Sequence, residues 1–244
     1  ARDVTETKEA ELRRNEFVSI ASHELRTPMT SILGFSELLL NRDVTQELQR
    51  EWLQAIQNDG HRMAAIVESL LNVSTIQSGR LEIDLQPLDV AAALEEVIGR
   101  FAESFPEHCV EVDIPSGLPL VIADAGKFVE VFANLIGNAL KYSPAGGDVH
   151  VRGLLNGEGG VVISISDEGL GISDDDMRQL FTSFHRVRRP ETVSIRGTGL
   201  GLYIVKALVE MMGAAITVES TLDVGSTFSV TFPIASSMEL PLAS

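Results

Sequence analysis

Two long apolar stripes at helical spacing, and the break that ends them, constrain this chain more than any other feature. Across residues 1–40, apolar or small side chains recur in heptad fashion at Val18, Ala21, Leu25, Pro28, Ile32, Phe35 and Leu39. Pro28 interrupts that helix and is expected to bend or loosen it, because proline removes a backbone donor. A second helix is predicted over residues 45–77, its stripe running through Trp52, Ile56, Met63, Ile66, Leu70 and Val73, with polar Asp59 an imperfection in the same repeat. A lone helix buries neither stripe, and a two-helix hairpin still leaves an apolar side open. Pairing with a second copy as a four-helix bundle solves this economically, so a homodimer through the helical region is expected.

The pattern changes near Gly79. The alternation Leu81-Glu82-Ile83-Asp84-Leu85, followed by Pro87, predicts a turn, a short strand and a boundary. Beyond it the chain reads as mixed α/β. Helices are expected over 88–104, 125–141, 173–180 and 199–212, and strands over 109–114, 120–122, 148–155, 161–167, 215–219 and 227–232. Residues 182–198 are polar, basic and unpatterned, which suits a flexible lid over a ligand. The expected fold class is α plus α/β, a helical hairpin followed by an α/β sandwich. Its predicted parts are a dimerisation domain at 1–80, a strand and hinge at 81–87, an α/β domain at 88–236 and a tail at 237–244.

Composition narrows the function. The net charge of −16 makes general binding to a nucleic-acid backbone a poor fit, so no nucleic-acid partner is expected. The same charge repels nucleotide at long range, and a nucleotide site here needs local donors and a divalent cation. Cys109 is the only cysteine, which excludes an intrachain disulfide; its apolar neighbourhood suggests a core position. No apolar run reaches membrane-span length, so this stretch reads as cytosolic, with no membrane insertion of its own. It opens in the middle of a polar helical pattern, as though excised from something longer, and a membrane-anchored parent is compatible with that.

His23 falls at heptad position f and is expected to face solvent. Alone it reads as an ordinary surface histidine, but its neighbours suggest chemistry. An unprotonated imidazole nitrogen can attack a phosphoryl group while Glu24 orients the proton on the other nitrogen. Thr27, one turn along, can hold a water near a phosphoryl group on His23, or cap a helix restarted at Pro28. The stretch from Phe17 to Pro28, with His23-Glu24-Leu25-Arg26-Thr27-Pro28 at its heart, resembles the phosphoacceptor box of sensor histidine kinases. That resemblance implies that His23 receives the phosphoryl group, that Glu24 assists, that Thr27 helps dephosphorylate a response regulator, and that Pro28 lets the helix bend during signalling.

The second half carries a nucleotide-site pattern. Asn134, Asn138 and Lys141 follow one another at spacings of four and three on the 125–141 helix, so they share one side of it. Asparagines in an otherwise apolar helix need partners, either a structural network or a polar ligand such as Mg²⁺-bound triphosphate, for which Lys141 offers a positive charge. Asp167 ends an apolar strand and enters Gly169-Leu170-Gly171, where its carboxylate can accept from an adenine amino group. Gly197, Gly199 and Gly201 precede a helix, an arrangement that offers N–H groups to phosphate; neither a dinucleotide fingerprint nor a Walker A lysine is present.

In order, these segments resemble the histidine kinase ATP-binding domain, a Bergerat-type sandwich shared in outline with Hsp90-like chaperones, MutL-type repair proteins and type II topoisomerases. The resemblance implies an N box of Asn134, Asn138, Lys141 and Tyr142, with Asn138 as Mg²⁺ ligand and Tyr142 beside the base. It implies a G1 box of Asp167, Gly169 and Gly171, and an F box of Phe181 and Phe184. The G2 box is Gly197, Gly199, Leu200 and Gly201, and Gly225-Ser226-Thr227-Phe228 resembles the glycine turn that follows. Glu168 and Leu170 stand where family members often have asparagine and proline. Of the lid cations Arg186, Arg188, Arg189 and Arg196, the first and last are the best placed to meet a γ-phosphate. The implied activity is ATP-dependent autophosphorylation of His23 and transfer to an aspartate on a response regulator receiver domain, with regulator phosphatase activity through Thr27. An ATPase of the chaperone or repair type would account for residues 88–232 and leave the His23 segment without a purpose.

Overall fold

The computed structural model of the chain describes residues 2–99, 101, 108–143, 146–157, 159–187, 189–192, 195 and 197–235, and their side chains from Ser19 onward, Pro190 excepted. The expected tail at 237–244 lies outside these residues, as do Arg188 and Arg196. The chain divides into two compact units, Ala1–Arg80 and Leu81–Ser244.

The first unit is a helical hairpin of α1 (Arg2–Asn41) and α2 (Gln46–Gln77). Glu24 of α1 meets Arg62 of α2, and Phe35 meets Trp52 with ring centroids 6.1 Å apart, so the two helices run antiparallel. Thr45 starts α2, its side chain accepting from the Leu48 N–H. On α2 the buried positions are Asp59, Ile66 and Val73, spaced by seven, so the polar residue of the repeat lies inside the seam. Pro28 is buried within α1, and the helix continues through it without restarting. Thr27 therefore does not cap a second helix. Its hydroxyl donates to the His23 carbonyl at 3.4 Å, and that of Thr30 donates to the Arg26 carbonyl at 2.9 Å. These back-bonds flank the turn where proline supplies no N–H.

The second unit is built on a five-stranded sheet in the order β2-β4-β5-β7-β6. The strands are β2 (His108–Asp113), β4 (Gly147–Leu155), β5 (Gly160–Asp167), β6 (Ala215–Thr221) and β7 (Gly225–Pro233). Only β2 and β4 pair in parallel. Strand alternation decides which face is covered. Ile163 and Ile165 on β5, with Phe228, Val230 and Phe232 on β7, point into a core shared with α3 (Val90–Gly99), α4 (Ala125–Lys141) and α6 (Gly201–Met211). Phe128, Phe132 and Phe232 meet there, with centroids 4.4 to 6.2 Å apart. The other face carries polar pairs in register: Ser164 with Ser229 at 2.8 Å, Ser166 with Thr227 at 2.9 Å, Arg152 with Asp113 and His150 with Glu111.

Some elements differ from the sequence expectation. Residues 81–85 have no regular structure, and the strand falls at β1 (Gln86–Leu88), paired antiparallel with β3 (Val121–Ala123) in a separate two-stranded sheet. Pro87 cannot donate to a ladder, which suits such a short edge strand, while the Asp84 N–H is taken by the Asp124 carboxylate at 3.0 Å. The helix expected over 173–180 shortens to α5 (Asp174–Met177), capped by Ser173. Cys109 is exposed, not in the core, because it takes the outward phase of edge strand β2 beside inward Val110. Among the described residues no helix is long and apolar enough to cross a membrane.

Candidate functional site

On α1 the His23 side chain is 76% exposed, while that of Glu24 next to it is only 16% exposed. Glu24 Oε1 lies 3.6 Å from His23 Nδ1, a contact slightly longer than a hydrogen bond. Its other oxygen, Oε2, is 3.3 Å from Arg62 Nη2. Nδ1 therefore faces the carboxylate, leaving Nε2 as the nitrogen available for attack. Thr27 shares this exposed surface one turn on.

In the α/β unit a cavity of about 180 Å³ opens where α4, the end of β5, the lid and the start of α6 converge. It brings together Asn134, Asn138, Lys141, Tyr142, Asp167, Gly171, Arg186, Gly197, Gly199 and Gly201, residues spread over more than sixty positions of sequence. Two of the polar groups are held by bonds within the fold. Asn134 anchors itself by donating to the Glu130 carbonyl at 2.9 Å. The Asp167 carboxylate accepts from the Gly169 N–H at 2.9 Å, and burial, partly offset by that bond and one from the Ser226 backbone, raises its pKa above the ordinary carboxylate value. Burial lowers the pKa of Lys141 and raises that of Tyr142, the latter opposed by the charge of Arg186. At the start of α6, Leu200 makes no side-chain cap, and the first-turn residues Gly201 and Leu202 line the cavity.

Two family models match the chain: the His Kinase A phospho-acceptor domain over residues 13–79, and the histidine kinase-, DNA gyrase B- and HSP90-like ATPase over residues 123–236. The chain belongs to the sensor histidine kinases. This kinase core is 34% identical to the sensor histidine kinase WalK of Bacillus subtilis (strain 168), the match covering 97% of the chain and 39% of that relative. It spans 39% to 60% of the length of the curated relatives that it matches first. Among solved structures it resembles the Acinetobacter baumannii histidine kinase AdeS, at 25% identity and a TM-score of 0.67, over 87% of this chain and 98% of that one. Full-length ShkA in complex with AMPPNP matches at 27% identity and a TM-score of 0.65, over 91% of this chain and 46% of that one. The helical hairpin followed by a Bergerat-type sandwich is the architecture of this family, and the α/β domain is an ATP-binding fold.

Not every expected residue of the kinase site lies on the cavity wall. Gly169 and Leu200 support it from behind: a Cβ at Gly169 would collide with the Tyr142 carbonyl oxygen, and Leu200 is fully buried. Thr227 faces the opposite side of the sheet, bonded to Ser166, and its neighbour Ser226 lines the cavity instead. Strand phase explains the exchange, since Ser226 alternates with inward Phe228 and Val230.

His185, which the sequence places near the site as a lid-surface residue, lines the cavity with its side chain 18% exposed. Val187 and Thr192 of the lid, which the sequence did not single out, line it too, as do Ile172, Leu180 and Phe228. Among the described lid residues, Pro190–Thr192 form a 3₁₀ turn, where buried Thr192 donates to the Val187 carbonyl at 2.7 Å and accepts from the Arg189 N–H at 2.9 Å. Its two ends are knitted by the Phe184 N–H donating to Gly199 O at 2.9 Å. Gly199 sits at φ +71°, and a Cβ there would press within 2.9 Å of the Phe184 and His185 backbone, so only glycine closes the lid this way. Arg186 Nη2 donates to the Ile195 carbonyl at 2.7 Å, holding this cation at the cavity wall.

Proposed function

We propose that the chain is an ATP-dependent protein-histidine kinase that phosphorylates its own His23 and passes the phosphoryl group to an aspartate of a response regulator receiver domain. The observation that carries this reading is the pairing, in one chain, of an exposed imidazole whose Nδ1 faces a carboxylate with a cavity lined by Asn138, Lys141, Asp167 and the glycines before α6. Asp167 accepts from the adenine amino group and Tyr142 flanks the base. Lys141 and the α6 N-terminus hold the phosphates, with Gly171 on the cavity wall beside the base and Gly169 packed behind it against the Tyr142 carbonyl. Asn134 and Asn138 fit Mg²⁺ through neutral amide oxygens beside phosphate; when bound, the ion offsets the charge of the triphosphate. Arg186 meets the γ-phosphate, and Arg196, outside the described residues, shares that role.

His23 Nε2 then attacks the γ-phosphorus in line, the bond to the β,γ-bridging oxygen breaks, ADP leaves, and the Glu24 carboxylate accepts the Nδ1 proton as positive charge develops on the ring. Thr27, exposed beside His23, positions water for dephosphorylation of the bound regulator. The hairpin pairs with a second copy as a four-helix bundle, and the protein works in the cytoplasm, where ATP and regulators are supplied. The test is incubation with γ-labelled ATP and Mg²⁺, comparing the chain with His23→Gln. Acid-labile, base-stable label that is lost in the variant is expected. Absence of label in folded, dimeric wild type overturns the kinase reading, and label persisting in the variant overturns His23 as acceptor.

A further inference from the structure

We infer that Arg62, on the second helix of the hairpin, is a positioning residue for the phosphoacceptor: it holds Glu24 so that the carboxylate stays on Nδ1 of His23. This inference rests on the proposed histidine phosphorylation. The Glu24 carboxylate is divided between two partners, Oε1 toward His23 Nδ1 at 3.6 Å and Oε2 toward Arg62 Nη2 at 3.3 Å. The three side chains form a gradient of exposure, 76% for His23, 22% for Arg62 and 16% for Glu24. The exposed imidazole thus leans on a group that is itself screened from water and tied to the neighbouring helix.

Position on the helices explains why the contact exists. Arg62 directly precedes Met63 and lies between buried Asp59 and Ile66, so it flanks the α2 seam. Glu24 likewise directly precedes seam residue Leu25 on α1. In an antiparallel pair such flanking positions face each other, and the two side chains close over the seam. A glutamate free in solvent samples many rotamers and has no reason to favour the imidazole beside it, whereas one held at Oε2 presents Oε1 to His23. The consequence is a preference for the imidazole tautomer with its proton on Nδ1 and its lone pair on Nε2. Neighbouring charge and hydroxyl groups do not substitute: Arg26 and Thr27 are exposed on α1, and the Thr27 hydroxyl is turned to the His23 carbonyl.

The experiment uses the full chain with Arg62→Met, Arg62→Lys, Glu24→Gln and the Arg62→Met/Glu24→Gln double variant, each checked for fold by circular dichroism and for dimer by sedimentation. Long-range ¹H–¹⁵N correlation spectra read the His23 tautomer. Arg62→Met is expected to lower the Nδ1–H fraction of His23 and to reduce the autophosphorylation kcat roughly tenfold, a modest part of what a positioned acid–base group contributes. The KM for ATP stays unchanged, and Arg62→Lys restores part of the rate. In the Glu24→Gln background the same change is expected to cost nothing further. An unchanged tautomer and kcat in folded Arg62→Met overturns the inference, and so does an equal loss in both backgrounds, which would make Arg62 act independently of Glu24. If wild type carries no phosphohistidine, the proposed activity fails, while the tautomer spectra still decide whether Arg62 positions Glu24 against His23.

Discussion

The two units of this kinase reach order by different routes. In the α/β unit the helices and sheet enclose a core of their own, in which Phe128, Phe132, Phe232, Leu135, Ile136 and Ile163 are essentially inaccessible. Among the described side chains of the hairpin the buried apolar ones are Pro28, Ile66 and Val73, while Met29, Leu33, Leu40, Leu53, Val67 and Leu71 are between 44% and 84% exposed. The α/β unit also leaves apolar side chains at its surface, among them Leu155 and Val224, but on top of a completed interior. Two helices have too little mutual surface to cover both stripes, so the hairpin asks for a partner where the sandwich does not.

The sharpest way to break that comparison is to charge the open face of the hairpin. Leu71→Glu is expected to dissociate the proposed dimer, because each dimer loses two buried leucines. With Leu71 already 61% exposed in the single chain, about 3 kcal/mol of burial is at stake, or roughly a hundredfold in the dimer constant, before the cost of placing two carboxylates in the seam. Sedimentation equilibrium measures it. A variant that dimerises as tightly as wild type would mean that this face is not the contact.

A cavity in the sandwich should act locally. Phe132→Ala removes a fully buried ring that packs on Phe128 and Phe232, and a loss of about 3–5 kcal/mol is expected for the α/β unit. Dimerisation through the hairpin should survive. Calorimetry paired with sedimentation separates the two, and simultaneous loss of the dimer would show that the units do not reach order independently.

Much of this was legible in the sequence because the signals were local. The 125–141 helix and both hairpin helices announce themselves by periodicity, and the observed bounds of α4 are those the pattern predicts. The residues that gather at the cavity stood out for a second reason: asparagines in an apolar helix and glycines before a helix start break local rules, which a structural network, a polar ligand or a tight approach can justify. What was not legible depended on distant partners. Leu81–Leu85 alternates like a strand, yet the strand goes to Gln86–Leu88, where β3 offers a ladder. Ser226 and not Thr227 faces the cavity because of the phase in which β7 meets β5. His185 and Thr192 reach the site only through the lid's own hydrogen bonds. The outward phase of Cys109 follows from the edge position of β2, which composition does not reveal.

The smallest effect tests how the α/β unit secures its first residues. The Asp124 side chain does two things: Oδ1 accepts from the Lys127 N–H, capping α4, and Oδ2 accepts from the Asp84 N–H, each at 3.0 Å. Burial alone would raise its pKa, but these bonds, with the Gly126 N–H and the Lys127 charge, hold it below the ordinary aspartate value. Asp124→Ala should therefore cost about 1–2 kcal/mol at neutral pH. The sign of the pH dependence follows from the depressed value: the ionised carboxylate stabilises the folded state above the unfolded pKa, and that contribution fades as pH falls below 3.8 through the folded pKa. Urea titrations of wild type and variant should accordingly converge in acid, with Asp124→Asn intermediate at neutral pH because an amide oxygen still caps. The hairpin counterpart, Thr45→Ala, removes only a 3.4 Å exposed cap and should cost less than Asp124→Ala at neutral pH. A larger loss from Thr45→Ala would mean that α2 depends on its own cap more than on the helix it packs against, and the contrast between the two units would then have to be redrawn.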